Sequence, residues 1–407
     1  MDQLTFLQFS DLHFESREHV RQWGCSPEKE QILERETREV VSGVVTLARE
    51  RQVDVVLIAG NLYDEQTISL DGLRFLQDSF QSLGKIPVFI APGNEDPYRP
   101  SSFYNSEFLK AIGLKPWPSN VHIFRDRPFS RVLLPDHSNI AITGVPHVGR
   151  NLDHEKIFSA LKTDNSEGLN ILVFHGTWKR NKTPEDGVTM PFTADELLSH
   201  RFDYAAFGHV PEGQEIIDET GRIRGAAAGC PCGRKLNEAG EKTVIVGEVG
   251  KGGVQRENME RIRLALRTVH EVTVPCGGVK QMRSLRQRIE RALSREGIEA
   301  MDLVSIRLQG RANRDHLRGI YEDSLKDMYF LTRLDTSNVR SLFDFRKYGR
   351  GGDTGLTTEG LYVRKMKTLL DKAEGDEEKK AIEKALQLGL DALRNKSIEF
   401  DHETQEA

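Results

Sequence analysis

Five short apolar runs in the first half of the chain predict buried strands. Each run is followed at once by glycine, proline or polar residues, a pattern typical of central parallel strands. The runs cover residues 4–9, 53–59, 86–91, 171–174 and 204–207. Apolar residues at helical spacing lie between the first three runs, near residues 28–51 and 70–83. Strands that alternate with helices indicate an α/β fold around a parallel sheet.

The pattern changes after the third strand. Short strand patterns predict a second sheet that packs on the first, and they lie at residues 121–124, 131–134 and 140–143. Three further patterns predict an antiparallel meander that completes the sandwich, at residues 215–217, 243–246 and 254–264.

The last third of the chain predicts a second, smaller domain. A strand at 269–274, a basic helix at 281–292 and a strand at 303–308 form a β-α-β pattern. Two amphipathic helical patterns follow a glycine-rich stretch. We therefore expect a first domain at 1–264, a capping domain at 265–348, a linker at 349–357, a helical hairpin at 358–395 and a tail at 396–407.

Side chains that can bind metal ions follow all five apolar runs. They are Asp11, His13, Asn61, Asn94, His175 and His209. In open α/β sheets the chemistry lies beyond the carboxyl ends of the strands, so these side chains should meet at one edge. A single histidine after a strand is more often a hydrogen-bonded structural residue, but six such residues in order predict a functional site.

The order of these residues resembles the pattern of the calcineurin-like metallophosphoesterases, which is D-x-H, G-D-x-x-D, G-N-H-D, a lone H and G-H-x-H. The segment 233–242 reads G-R-x-x-N-E-x-G-E-K and is similar to a loop of the SbcD-type subunit of bacterial DNA double-strand-break repair exonucleases. A glycine-rich hairpin loop with surface charges is the simpler interpretation of that segment alone. The resemblance implies a four-layer α/β/β/α sandwich, a small α+β capping domain and a helical hairpin.

The resemblance also implies two divalent ions, manganese above all, held about 3.5–4 Å apart. In the family the first ion is bound by the residues matching Asp11 and His13, the bridging aspartate and the last histidine of G-H-x-H. The second is bound by the bridging aspartate and the residues matching Asn94, His175 and His209. The implied partners are DNA ends and an SbcC-type coiled-coil ATPase, which would bind the hairpin. A homodimer is also compatible with the resemblance.

The sequence departs from this pattern at three positions. Asn61 replaces the bridging aspartate, Pro211 replaces the last histidine, and Glu95 replaces the histidine that lies over the scissile phosphate. Two dications 4 Å apart repel by on the order of 16 kcal/mol at an effective dielectric of 20, and a neutral asparagine offsets this far less than a carboxylate. We therefore expect at most one ion, near Asn94, His175 and His209. Glu95 could replace the lost charge on a metal, or it could repel phosphate.

Two hypotheses of different classes follow. The first is a metal-dependent DNA exonuclease subunit with an impaired site, and the second is a catalytically silent subunit that binds DNA ends or an ATPase partner. The three substitutions favour the second; a small-molecule phosphodiesterase is a third interpretation, which the capping domain and hairpin disfavour. The basic helix with Arg283 to Arg291 is either a DNA contact or a solvated face, and the hairpin either binds the partner or folds back on its own domain.

Composition narrows the cellular setting. The chain has 407 residues, of which 29% are charged, and a formal net charge of −5, which argues against a generally basic nucleic-acid coat. No apolar run approaches the roughly 20 residues of a membrane span. Four scattered cysteines and an N-terminus that enters a strand directly predict a cytoplasmic protein with reduced thiols.

Overall fold

The structure is a computed structural model. It describes residues 3–16, 23–134, 137–149, 157–161, 168–179, 188–233, 235, 238–277, 282–312, 317, 325–341 and 357–395. The chain divides into two compact units, Met1–His270 and Glu271–Ala407, so the division falls slightly after the predicted boundary at 264.

The first unit combines a large sheet with flanking helices. Its strands are β1 (Leu4–Phe9), β2 (Val55–Ile58), β3 (Val88–Ile90), β4 (Val121–Ile123), β5 (Ser130–Leu134), β6 (His137–Val145), β7 (Leu169–His175), β8 (Tyr204–Gly208), β9 (Gln214–Ile217), β10 (Ile223–Ala227), β11 (Thr243–Gly250) and β12 (Gly253–Arg263). Its helices are α1 (Pro27–Glu50), α2 (Leu70–Gln81), α3 (Ser106–Ala111), α4 (Ile157–Ala160) and α5 (Ala194–Ser199).

Two parallel groups of strands form the sheet. β1 to β4 are parallel neighbours, as are β6 to β8. The full order is β4-β3-β2-β1-β11-β12-β10-β8-β7-β6-β5, with β9 beside β10. Alternate side chains of each strand face opposite sides, so that Leu7 packs towards α1 and α2 whereas Phe6 packs between the two halves of the sheet. A third cluster packs the other half against α4 and α5.

These buried layers confirm the predicted α/β sandwich, but two of the predicted strand neighbours are wrong. β4 pairs with β3 in the first parallel group and not in a second sheet, and β9 pairs with β10 and not with β11. β11 pairs antiparallel with β1, and β12 pairs with both β11 and β10, so these two long strands join the halves of the sheet. β10 was not expected as a strand, and it runs parallel to β8. Its sequence, Ile-Arg-Gly-Ala-Ala, contains a single β-branched residue, Ile223, and ends in small residues with low strand propensity, although it is largely buried.

In the residues that the structure describes, the second unit has a small sheet and three long helices. Its elements are β13 (Val269–Pro275), which starts at the end of the first unit, α6 (Met282–Leu293), β14 (Leu303–Ala312), β15 (Leu331–Asp335), β16 (Val339–Ser341), α7 (Thr358–Lys372) and α8 (Asp376–Asn395). The strand order is β13-β14-β15, with β16 also on β14. None of the helices in the described part of the chain is long and apolar enough to cross a membrane.

Helices α7 and α8 pack on each other through a small apolar core. Val363, Leu386 and Leu390 are buried there, and Tyr362 and Met366 pack against them. Residues 349–356 of the predicted linker and the predicted tail at 396–407 lie outside the described residues.

Candidate functional site

The structure brings the six predicted ligand-type residues together beyond the carboxyl ends of five parallel strands. Asp11 and His13 follow β1, Asn61 follows β2, Asn94 follows β3, His175 ends β7, and His209 follows β8. Backbone hydrogen bonds tie the loops to one another, from Asp11 N to the Gly60 carbonyl and from His13 N to the Asn61 carbonyl, both 3.0 Å long.

Asn61 lies at the centre of the site and bonds to its neighbours on three sides. Its Nδ2 donates to Asp11 Oδ1 and to Asn94 Oδ1, each at 3.2 Å. Its Oδ1 accepts from the backbone N–H of Glu95 at 3.0 Å. Because a backbone N–H can only donate, this last bond fixes which end of the amide faces Asp11 and Asn94. Asn61 therefore presents N–H groups, and not a lone pair, to the middle of the site.

His175, at the end of β7, and His209, directly after β8, complete the network. His175 Nδ1 donates to the Ala59 carbonyl at 2.8 Å, so its Nε2 is the unprotonated nitrogen. That Nε2 lies 3.3 Å from His209 Nδ1 and 3.0 Å from Asn94 Oδ1. Burial, together with the charges of His209 and two other histidines, holds the pKa of His175 well below its usual value. His175 is thus neutral, and its unprotonated Nε2 lies between His209 Nδ1, which can donate to it, and Asn94 Oδ1, which cannot.

His13 is oriented by a carboxylate. Its Nδ1 lies 2.6 Å from Asp64 Oδ1, and its Nε2 lies 3.9 Å from Asp11 Oδ1. Burial acts to lower the pKa of His13, but the hydrogen bond and charge of Asp64 and the charge of Asp11 outweigh it, so the pKa is raised. Asp64, three residues after Asn61 in the chain, therefore holds the His13 ring in place.

Two supporting residues were missed by sequence reasoning. Asp96 accepts hydrogen bonds from the backbone N–H groups of Asn61, Leu62 and Gly93 and from the Tyr104 hydroxyl, at 2.6–3.0 Å. Burial raises the pKa of Asp96 to about 6, although these four donors act to lower it. The signal for Asp96 was its place at the end of the G-N-E-D segment.

The second missed residue, His147, has no sequence signal. It is fully buried, and its Nε2 donates to the His175 carbonyl at 2.9 Å. Burial lowers the pKa of His147 to about 4, so it stays neutral and fixes the end of β7.

The backbone of the site is held in an unfavourable region. Asp11, His13, Asn61 and His209 have φ values of 53°, 46°, 52° and 116°. Such conformations cost roughly 1–3 kcal/mol each in a residue with a side chain and persist only where the surroundings enforce them. Gly60 at φ +83° is required for a second reason, because a Cβ there would lie 2.6 Å from the His175 ring.

Comparison with known proteins identifies the family. The sequence model of the calcineurin-like phosphoesterases matches residues 4–213, which is just over half of the chain. The chain belongs to the calcineurin-like phosphoesterase family.

One relative covers most of the chain. The uncharacterised metallophosphoesterase YhaO of Bacillus subtilis (strain 168) is 28% identical over 299 residues, which is 72% of this chain and 68% of YhaO. Two solved structures are more distant. TT1561 of Thermus thermophilus is 12% identical with a TM-score of 0.34, covering 65% of this chain and 100% of that one. A dimetal phosphatase from Danio rerio is 13% identical with a TM-score of 0.35, covering 64% and 99%.

Members of this family typically bind divalent metal ions, but the residues present do not fit a two-metal centre. The place of the bridging carboxylate holds the Asn61 Nδ2, whose N–H groups point at the oxygens that would bind the ions. Within the described residues, no group of three or more His, Cys, Asp or Glu side chains is placed to hold an ion.

The other two departures from the family pattern, at Pro211 and Glu95, also count against a two-metal centre. Pro211 has no donor side chain, and its carbonyl accepts from the backbone N–H of Cys230 at 3.2 Å. Glu95 Oε1 accepts from Asn94 Nδ2 at 2.9 Å, so the carboxylate is engaged by an amide next to the site.

Proposed function

We propose that the chain is an SbcD-like subunit in the repair of DNA double-strand breaks that has lost metal-dependent phosphodiester hydrolysis, and that it binds DNA ends and an SbcC-type coiled-coil ATPase. The observation that carries this proposal is the orientation of the Asn61 amide, because its Nδ2 donates to both Asp11 and Asn94. A two-metal mechanism needs an anion at this point to bring two ions within about 4 Å.

The electrostatics of the site support the loss of catalysis. Two dications at that distance repel by on the order of 16 kcal/mol, and N–H dipoles aimed at them add to the repulsion. The network instead pairs acceptors of the site with donors of the protein: Asn94 Oδ1 with Asn61 Nδ2, and His175 Nε2 with His209 Nδ1. These two pairings reduce the need of the site for a metal ion, although His175 Nε2 and Asn94 Oδ1, both acceptors, lie 3.0 Å apart with no proton between them.

The helical hairpin supports the role of a partner. One face of α7 and α8 forms their shared core, whereas Leu361 and Leu369 of α7 are 56% and 46% exposed. Residues eight apart lie near the same face of a helix, and Lys365, Thr368 and Lys372 share that face. The two leucines are therefore exposed apolar contacts on a largely polar surface, which a groove of another helical protein can cover. The SbcC-type ATPase is the partner that the resemblance supplies.

A weakened metal-dependent exonuclease is the second candidate. Two unprotonated acceptors, Asn94 Oδ1 and His175 Nε2, lie 3.0 Å apart on one side of Asn61, and His209 Nδ1 lies 3.3 Å from the same His175 nitrogen. This clustering favours a single divalent ion, manganese first, in the half of the site that keeps its family residues.

Three measurements on the purified chain separate the two candidates. They are a metal analysis, a manganese-dependent nuclease assay on linear duplex DNA, and a DNA-binding assay in EDTA. We expect less than one bound ion per chain, no cleavage, and DNA binding that persists in EDTA. Cleavage that rises with manganese and disappears in His175→Ala would establish the exonuclease instead.

A further inference from the structure

A groove in the second unit has no role in the proposed function. It lies between β13 and α6, has a volume of about 650 Å³, and is lined by residues 271–275 on one side and by Arg288, Arg291 and Arg295 on the other. We call it the β13–α6 groove. Five consecutive strand residues line it, so it runs along the backbone of β13 and is not a pocket over one face of the sheet.

The backbone of β13 is open towards the groove at Thr273, whereas the same edge is bridged to Gly240 at its first residue, Val269. Among the described strands of this sheet, β13 is last in the order, with β14 on its other side. Cys276, directly after β13, donates its backbone N–H to the Gln309 carbonyl of β14 at 2.8 Å. Backbone groups of successive strand residues point to opposite edges, so the N–H and C=O of Thr273 point away from β14. An open edge of this kind is a template for another strand.

The opposite wall of the groove is basic. Arg288 Nη1 bonds the Pro275 and Gly277 carbonyls at 2.9 and 3.2 Å, which fixes that side chain across one end. Arg291 and Arg295 are exposed, and within the described residues neither guanidinium has an acidic partner.

Two acidic residues also line the groove. Glu271, on the strand side, pairs with Arg307 at 2.8 Å, and Arg307 also contacts Asp335. Glu296 lies beyond the end of α6. The three arginines on the helix side outnumber these two carboxylates.

We infer that the β13–α6 groove binds an extended acidic peptide, which adds to the edge of β13 as a strand and places carboxylates on Arg291 and Arg295. Side chains of a strand that share a face repeat every ~6.8 Å, and helix residues four apart lie about 5–6 Å apart, so alternate acidic residues match the two arginines. A peptide is favoured over nucleic acid because only a peptide backbone satisfies both the N–H and the C=O of Thr273. This inference does not depend on the proposed function.

Fluorescence anisotropy with the full chain tests the inference. The probe is fluorescein-labelled Glu-Val-Glu-Val-Glu-Thr, and Arg291→Glu and Arg295→Glu are compared with Arg283→Glu, which makes the same charge change on an exposed residue of α6 outside the groove. We expect each groove variant to weaken binding about tenfold or more, and the control to change it by less than about twofold. Equal losses in all three variants, or equal binding of Lys-Val-Lys-Val-Lys-Thr, would overturn the proposal.

Amide hydrogen exchange tests strand addition separately from charge. The acidic peptide should slow exchange of the Thr273 amide, and a version with proline at alternate positions should not. Thr273 exchange that the bound peptide leaves unchanged would overturn strand addition. Arg291-dependent binding of a 20-base-pair duplex, with no binding of the peptide, would show that the groove is a nucleic-acid surface and would likewise overturn the proposal.

Discussion

Two parts of the site differ in how far they follow the family pattern. The support consists of Asp64 and Asp96, which hold the loops from behind, and the face consists of Asn61, Glu95 and Pro211. Behind the site, Asp96 accepts from four donors and Asp64 holds the His13 ring. On the face, Asn61, Glu95 and Pro211 stand where the family has a carboxylate and two histidines. Hydrogen bonds from the loop backbone to Asp96, and from His13 to Asp64, hold these loops in place. The residues that support the loops therefore keep the family pattern where three residues in front of them depart from it.

Restoring the face should give the largest effect. Asn61→Asp, Glu95→His and Pro211→His together re-create the family's ligands on an intact support. We expect manganese-dependent cleavage of linear duplex DNA to rise on the order of 100-fold or more above the unmodified chain, and single changes to do little, because such residues act as a unit. A gel-based nuclease assay measures this. If the triple variant binds two ions and still cleaves nothing, the substrate groove has changed as well as the site.

Breaking the support should cost stability. Asp96→Asn places an NH2 group against the Leu62 N–H and the Tyr104 hydroxyl, which both donate to Oδ2. Leaving a buried donor unpaired costs about 1–3 kcal/mol, so we expect a loss of about 3 kcal/mol in the free energy of unfolding of the first unit. Urea denaturation measures it. Tyr104→Phe is the control, because it removes the hydroxyl that donates to Asp96 and leaves the three backbone donors paired, and it should cost about 1 kcal/mol. A loss no greater than the control's would show that the loops do not depend on Asp96.

Much of the site could be predicted from sequence because its residues sit at fixed places after apolar strands. The orientation of the Asn61 amide could not, because it depends on the backbone N–H of Glu95, which only the folded loop brings within 3.0 Å. The role of His147 could not be predicted for the same reason, because its partner is a backbone carbonyl that only the fold brings near. The join between the two halves of the sheet was missed because the sequences of β11 and β12 do not specify their neighbours.

The exposed leucines of the hairpin, Leu361 and Leu369, should contribute to partner binding and not to the stability of the fold. Deleting residues 357–407 should leave the melting temperature of the first unit nearly unchanged and abolish co-purification with an SbcC-type ATPase. Leu361→Asp should do the same while leaving the hairpin folded, because Leu361 is 56% exposed whereas the core residues Val363, Leu386 and Leu390 are untouched. Circular dichroism checks the fold. An ATPase complex that survives both changes would place the partner contact elsewhere.

The central claim, that the face of the site no longer assembles two metal ions, is tested most directly by calorimetric titration of the chain with manganese. The orientation of Asn61 predicts at most one tightly bound ion, near Asn94, His175 and His209. Asn61→Asp, in the same titration, should bind manganese more tightly because it restores the bridging carboxylate. Two sites of similar high affinity in the unmodified chain would contradict the account and would imply that Glu95 has become a ligand.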